Sequence, residues 1–262
     1  MDINLNNKQA VVCGSTQGIG RAIAEELAEL GASVVLIARN EASLEEVKNG
    51  LSTQVGQNHH IITSDFSDPE GLKKNIDAFL SEGNQPEILI NNTGGPSGGQ
   101  IVDEPYEKFE DTLNAHLRCS HLLVQALAPG MKDKNYGRII NIISTSVKQP
   151  ISGLGVSNTV RGAVSSWAKT LSYELGGFGI TVNNVLPGFT KTARLDYVIE
   201  SISKKTGKSI SEVISKLENE IPAGRIGSPK ETAALAGFLA GPAASYINGT
   251  SIPVDGGRTT AI

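Results

Sequence analysis

Cysteine is nearly absent: Cys13 and Cys119 are the two in 262 residues, so a disulfide framework is excluded and a reducing cytosol is the expected setting. No apolar run approaches the ~18 residues of a membrane span. The opening MDINLNNKQA has neither the charged nor the apolar region of a signal peptide, so we expect a cytoplasmic protein without a membrane partner. Neither sign of charge dominates: 23 Lys and Arg face 27 Asp and Glu, a net charge of −4. That balance argues against a nucleic-acid partner, which calls for a basic stripe or domain. Linkers and repeats are also missing, and we read residues 1–262 as a single domain, long enough to bury its own core.

What the chain does have is glycine, 29 residues clustered at a few turns, which suggests backbone brought close to a ligand. Around these turns, short β-branched runs alternate with longer amphipathic stretches. Residues 8–13 (KQAVVC), 33–38 (SVVLIA), 60–63, 87–91 (EILIN), 138–143 (RIINII), 181–186 (TVNNVL) and 250–254 read as strands. Strands alternating with helices predict an α/β fold: one Rossmann-type, doubly wound parallel sheet of about seven strands, with helices on both faces. The helices expected at 106–131 and 156–176 carry apolar residues on more than one face, as a subunit contact requires. Residues 190–221 are polar, with helical spacing at Leu195, Val198 and Ile199, then at Ile210, Val213, Ile214 and Leu217. They read either as a substrate lid or as a plain pair of surface helices.

The sharpest signal is the strand–glycine–helix junction at GSTQGIG. Gly14, Gly18 and Gly20 permit a tight turn and leave a helix N-terminus uncovered, where free N–H groups and the helix dipole favour a pyrophosphate. A ligand-free tight turn is the bland alternative. The glycines follow a strand and open a helix, as a dinucleotide site requires.

The spacing G-x-x-x-G-x-G, with the rest of the chain, resembles the short-chain dehydrogenase/reductase family, particularly its β-ketoacyl-ACP-reductase-like members. Residues 13–20 match the family's T-G-x-x-x-G-x-G, with Cys13 in place of threonine; residues 91–94 (NNTG) match N-N-A-G; Pro187-Gly188 matches its P-G turn; NGTSIPVDGG looks like its closing strand. The resemblance runs end to end. It implies a nicotinamide dinucleotide held by Gly14, Ser15, Gln17, Gly18, Ile19 and Gly20 at the phosphates. Asp65 and Phe66 would then lie at the adenine, and Asn92, Gly94, Pro187, Gly188 and Thr190 toward the nicotinamide. At the end of the second strand an NAD enzyme would place a carboxylate, but here Ala38 is followed by Arg39. An arginine fork pairs with a 2′-phosphate, so NADP(H) is favoured over NAD(H). The alternative leaves Arg39 solvated and gives the ribose to Glu41.

The family's chemistry is reversible hydride transfer between the nicotinamide and a small-molecule carbonyl or alcohol. It employs an asparagine, a serine, a tyrosine and, four residues after the tyrosine, a lysine. Asn114 and Ser144 match the first two. At the tyrosine and lysine positions, in SNTVRGAVSSWAKTLSYEL, stand Ser157 and Arg161. An aliphatic hydroxyl is a far weaker acid than a phenol of pKa ~10, and an arginine cannot release a proton at physiological pH. A water between Ser157, Arg161 and the substrate would serve as proton source, with Arg161 holding the nicotinamide ribose through its fork. The glycine-rich GGPSGG at 94–99 is expected to open room beside the nicotinamide.

Histidines offer little as metal ligands. His59 and His60 point to opposite faces of a strand, and His116 and His121 stand five apart on a predicted helix. Arg118 and His121 share the helix face of Asn114, which lines either the site or, preferably, a subunit contact. The family resemblance implies a homotetramer. Three functions remain: an NADP(H)-dependent oxidoreductase with an atypical proton donor, a nucleotide-binding sensor or assembly partner without hydride transfer, or other nicotinamide chemistry at the same pocket, for which no residue points to a particular reaction.

Overall fold

The computed structural model describes residues 1–261. Seven strands form one parallel sheet in the order β3-β2-β1-β4-β5-β6-β7. They are β1 (Gln9–Cys13), β2 (Ser33–Ala38), β3 (His60–Thr63), β4 (Ile88–Asn91), β5 (Gly137–Ile142), β6 (Ile180–Pro187) and β7 (Ser251–Val254). The central strands are continuous β-branched runs because both faces are covered. Ala10 and Val12 face α1 (Gly18–Glu29), α2 (Glu41–Gly50) and α9 (Pro229–Ala240), while Val11 and Cys13 face the opposite layer. That layer is α3 (Pro69–Ser81), α5 (Cys119–Asp133) and α6 (Gly155–Leu175).

Strand limits differ from the sequence reading by a residue or so, and one difference has a clear cause. Glu87 was expected to open β4 but lies just before it, buried, with its carboxylate accepting from Gln9 N–H (2.9 Å) and paired with Lys134 (2.9 Å) and Lys8 (3.6 Å). One line of polar side chains runs from strand to strand across the sheet. Asn91 Nδ2 donates to Asn141 Oδ1 (2.8 Å), Asn141 Nδ2 to Asn184 Oδ1 (3.0 Å), and Asn184 Nδ2 to Ser251 Oγ (3.0 Å). These residues are register neighbours on β4, β5, β6 and β7, so each amide finds its partner on the adjacent strand.

The helix expected at 106–131 is interrupted. α4 (Tyr106–Leu113) runs into a π-helical turn, Asn114–Arg118, before α5 begins at Cys119. The π turn holds more residues per turn than an α-helix and resets which side chains face inward. Residues 190–221 contain α7 (Ala193–Thr206) and α8 (Ile210–Asn219). These two pack on each other through Leu195, Ile199, Val213 and Leu217, a small apolar cluster separate from the sheet's two layers.

Candidate functional site

Strand order reverses between β1, which neighbours β2, and β4, so a crevice opens at the carboxyl ends of these strands. The loop after β1 turns into α1 there. Gln17 caps α1 without any side-chain hydrogen bond, leaving first-turn N–H groups free for an anion. The glycines of this loop have different reasons. A Cβ on Gly20 would lie 2.1 Å from the carbonyl oxygen of Gly14, so that glycine is required by packing within the loop itself. Gly18 sits at φ +55°, a left-handed conformation that suits glycine, and above it lies Thr192, 3.1 Å from where a Cβ would stand. The segment leading into α7 thus crosses directly over the loop. Ser15 is buried, donating to the carbonyl of Ile37 (3.4 Å), and Ile19 packs on the sheet's α1 face. Asn92 Nδ2 donates to the carbonyls of Cys13 (3.1 Å) and Gly14 (3.3 Å), tying the loop after β4 to the loop after β1.

At the outer end of the crevice Arg39 is largely exposed, with its guanidinium 4.0 Å from Asp65. Asp65 accepts from Ser67 N–H (2.9 Å), and that bond holds its carboxyl below the usual range. The neighbouring Phe66 is half-buried against the α3–α5 layer, and its carbonyl accepts from Cys119 Sγ. On the opposite side, Gly188 N–H donates to Val254 at the end of β7 (2.9 Å), and the Thr190 hydroxyl donates to Gly188 (3.1 Å). Pro187 closes β6 between them. An uncapped helix start, an exposed guanidinium just past the end of β2 and a cleft between β1 and β4 suit a phosphorylated dinucleotide.

Ser144, Ser157 and Arg161 converge above β5. Ser144 follows the strand and accepts from Ser146 N–H (3.1 Å), which leaves its own proton free. α6 carries Ser157 and Arg161 one turn apart, and Arg161 Nε donates to Ser157 Oγ at 3.2 Å. Arg161 is buried, and Nη1 donates to the carbonyls of Ile143 (2.9 Å) and Ile142 (3.3 Å). This differs from the expected grip of a guanidinium fork on two ribose hydroxyls. Arginine is longer than lysine, so its head reaches the end of β5 and is tied there, leaving Nη2 as the free end. Burial, and then the charge of Arg194, bring its pKa down to about 10, so it stays charged at neutral pH.

Asn114 opens the π turn, half-exposed. Arg118 and His121, expected together at a subunit contact or the site, are engaged within the chain: Arg118 with Glu70 of α3 (2.7 Å), His121 edge-on to Trp167 of α6. His116, set aside as a ligand, proves to be at the site. It is buried, with Nε2 3.1 Å from the carbonyl of Gly94, so Nε2 carries the proton. Burial, then Arg161, push its pKa down to about 3, and it is neutral. The 94–99 loop is less open than expected. A Cβ would meet nothing within 4 Å at Gly94, but at Gly98 it would come 2.9 Å from the carbonyl of Gly153. A Cβ at Gly99 would overlap Glu104, so the far half of the loop is drawn down onto its neighbours. Among the described residues no group of three or more His, Cys, Asp or Glu is placed to hold a metal ion, and no helix is long and apolar enough to cross a membrane.

This sheet order, glycine loop and crevice define a dinucleotide-binding α/β protein of Rossmann type. The family model described as enoyl-(acyl carrier protein) reductase matches residues 14–259. The NADPH-dependent reductase BacG of Bacillus subtilis is 32% identical over 98% of this chain and 100% of its own length. The 3-oxoacyl-(acyl-carrier-protein) reductase FabG of Vibrio cholerae is 32% identical over 97% of this chain and 98% of its own. The structure of L-sorbose reductase from Gluconobacter frateurii, complexed with NADPH and L-sorbose, superposes with a TM-score of 0.93 at 31% identity, both chains fully covered. The chain belongs to the short-chain dehydrogenase/reductase family.

Proposed function

We propose that this protein is an NADP(H)-dependent oxidoreductase interconverting a carbonyl and an alcohol, in which a water beside Ser157 takes the place of a phenolic proton donor. The observation that carries this reading is the Arg161–Ser157 hydrogen bond facing the loop after β4, beside the free hydroxyl of Ser144. The cofactor, when bound, supplies or accepts the hydride. The uncapped start of α1 holds its phosphates, and Arg39 pairs with the 2′-phosphate. Asn92, Gly94 and Thr190 border the nicotinamide end.

The remaining roles belong to the chain's own groups. Ser144 donates to the substrate oxygen. Arg161 Nη2 supplies a fixed positive charge to the oxyanion that develops there. Because Ser157 Oγ accepts from Arg161, its own proton points away and is available to a neighbouring water, a one-water relay being geometrically acceptable. Asn114 steadies that water chain. Residues 190–221 act as a lid, as the position of Thr192 over Gly18 suggests. The exposed aromatics Tyr106 and Tyr173 on α4 and α6 support a homotetramer built on those helices, and the scarcity of cysteine suits a cytoplasmic location.

Purified protein with NADPH and a broad panel of carbonyl compounds tests the reading, with turnover above a solvent blank expected. One observation favours the second reading, a nucleotide-binding protein without hydride transfer: residue 157 offers no acidic proton, and loss of a general acid commonly costs about 10²–10⁴-fold in rate. Tight NADPH binding with no turnover on any carbonyl overturns the first reading in favour of the second.

A further inference from the structure

Three consecutive residues of the loop after β4 are each touched by a nitrogen-bearing side chain from a different element. Gly94 offers its carbonyl to His116 of the π turn. Gly95 faces Arg161 of α6, whose Nη2 lies 3.4 Å from where a Cβ would stand. Pro96 offers its carbonyl to Nη2 of Arg194, on the first turn of α7. The two guanidiniums therefore flank the same short piece of backbone, with a neutral imidazole beside them.

Their lack of counter-charge is unusual for this chain. Of eight arginines, Arg21, Arg39, Arg118, Arg225 and Arg258 are each paired with a carboxylate. Arg138 is tied to backbone carbonyls at the opposite end of the sheet. Arg161 and Arg194 alone combine a place at the crevice with no ion-pair partner among the described residues. Two like charges across one loop repel each other, and an anion between them relieves both. Arg194 is exposed yet aligned: the Pro96 carbonyl holds one end of its fork and the Tyr197 ring lies 5.8 Å away, which leaves other N–H groups free.

We propose that the crevice between residues 94–96 and α7 takes a carbonyl substrate bearing a carboxylate, an oxo acid, with Arg194 as the residue that holds the carboxylate. Arg161 then stands at the reacting oxygen, and Arg194 sets the far end of the molecule. A guanidinium–carboxylate pair is charge-assisted on both sides and planar, so it discriminates strongly against a neutral ester of the same shape. The proposal rests on the oxidoreductase reading for the identity of the reacting group, but the carboxylate preference is measurable without turnover.

The test uses 3-oxobutanoate, 2-oxopentanoate and 2-oxohexanoate with their methyl esters, titrated by calorimetry into the full chain saturated with NADP⁺. The oxidised cofactor has no hydride to give, so these are dead-end complexes. At least one acid is expected to bind about tenfold or more tightly than its ester. Arg194→Gln should abolish that preference and Arg194→Lys restore part of it, with NADP⁺ affinity unchanged in both. Equal binding of acids and esters, no binding of any acid, or a preference that survives Arg194→Gln overturns the proposal. A parallel loss of NADP⁺ affinity in Arg194→Gln also overturns it, by giving this arginine to the cofactor. Acid preference without NADPH oxidation upholds the carboxylate site while the oxidoreductase reading falls. Turnover of acids and esters with equal kcat/KM does the reverse.

Discussion

Arg161 and Ser157, one helical turn apart on α6, form a closed pair: Nε donates to Oγ at 3.2 Å, while Nη1 of the same guanidinium is fixed to the carbonyls of Ile143 and Ile142. The arginine is thus both an anchor between α6 and the end of β5 and the positive charge nearest Gly95. Arg161→Met removes the donor from the carbonyls of Ile143 and Ile142, each worth roughly 1–3 kcal/mol, so a loss of about 2–6 kcal/mol is expected in urea unfolding. NADPH affinity should fall with it in calorimetry. Ser157→Ala removes one acceptor and should cost about 1 kcal/mol, with a modest loss of any activity. Unchanged stability in Arg161→Met would show that the anchor contributes nothing.

Ser157→Tyr with Arg161→Lys brings a phenol and an amine to these positions. A phenol of pKa ~10 next to a cation is a far better proton donor than a serine-held water. Reductase activity should rise on at least one carbonyl of the panel, read as NADPH consumption. If no carbonyl gains, the water beside Ser157 is not what limits the reaction.

Gly20 and Gly18 separate folding from binding within one loop. Gly20→Ala drives a Cβ into the carbonyl of Gly14, a contact of 2.1 Å against backbone that cannot move aside. The expected result is severe destabilisation, seen as loss of a cooperative melting transition. Gly18→Ala meets only the methyl of Thr192 at 3.1 Å and the strain of a positive φ. That strain is worth about 1 kcal/mol. It should fold, melt a few degrees lower and bind NADPH more weakly. Equal melting temperatures for the two variants would contradict this division.

The strands were legible because a parallel sheet buried on both faces needs continuous β-branched runs, and SVVLIA is bounded as β2 is. Glu87 misled by one residue because hydropathy does not reveal a carboxylate fixed by two lysines and a backbone N–H. Within the candidate site, spacing made legible the glycine loop that opens α1 and the four-residue step that brings Ser157 and Arg161 together. The site was not legible where geometry depends on an irregular turn. At the level of sequence His116 is weighed only for its five-residue spacing from His121, which speaks to metal ligation; its contact with the Gly94 carbonyl, made 22 residues away from within a π turn, leaves no periodic signal. Arg194 escaped notice for another reason. Its partner, Pro96, lies 98 residues away, and nothing in the local sequence records that contact.

In the proposed reading, cofactor choice depends on Arg39. Its guanidinium is exposed and only loosely held by Asp65 at 4.0 Å, so it is free to turn onto a 2′-phosphate. NADPH should bind at least about tenfold more tightly than NADH, since a charge-assisted fork is being gained. Arg39→Ala should erase most of that difference and leave NADH affinity unchanged. Equal affinities in the unaltered protein would remove Arg39 from the site.

His116 is expected to make the protein sensitive to acid. Its Nε2–H donates to Gly94, and burial, reinforced by Arg161, holds its pKa down at about 3. The unfolded chain carries the same imidazole near its ordinary value of about 6.5. Below that value the unfolded state binds a proton that the folded state refuses, so stability is full above it and is lost as pH falls toward 3. The slope is about 1.4 kcal/mol per pH unit, which amounts to roughly 2 kcal/mol at pH 5. His116→Gln keeps an N–H for the Gly94 carbonyl and removes the titration. Urea unfolding near pH 7.5 and near pH 5 should therefore show a smaller acid loss in the variant, by about 2 kcal/mol. His60, whose pKa burial also lowers, is present in both proteins and cancels from the comparison. Identical acid losses in the two would mean that the folded protein accepts the proton at His116, and the neutral imidazole beside Arg161 would have to be abandoned.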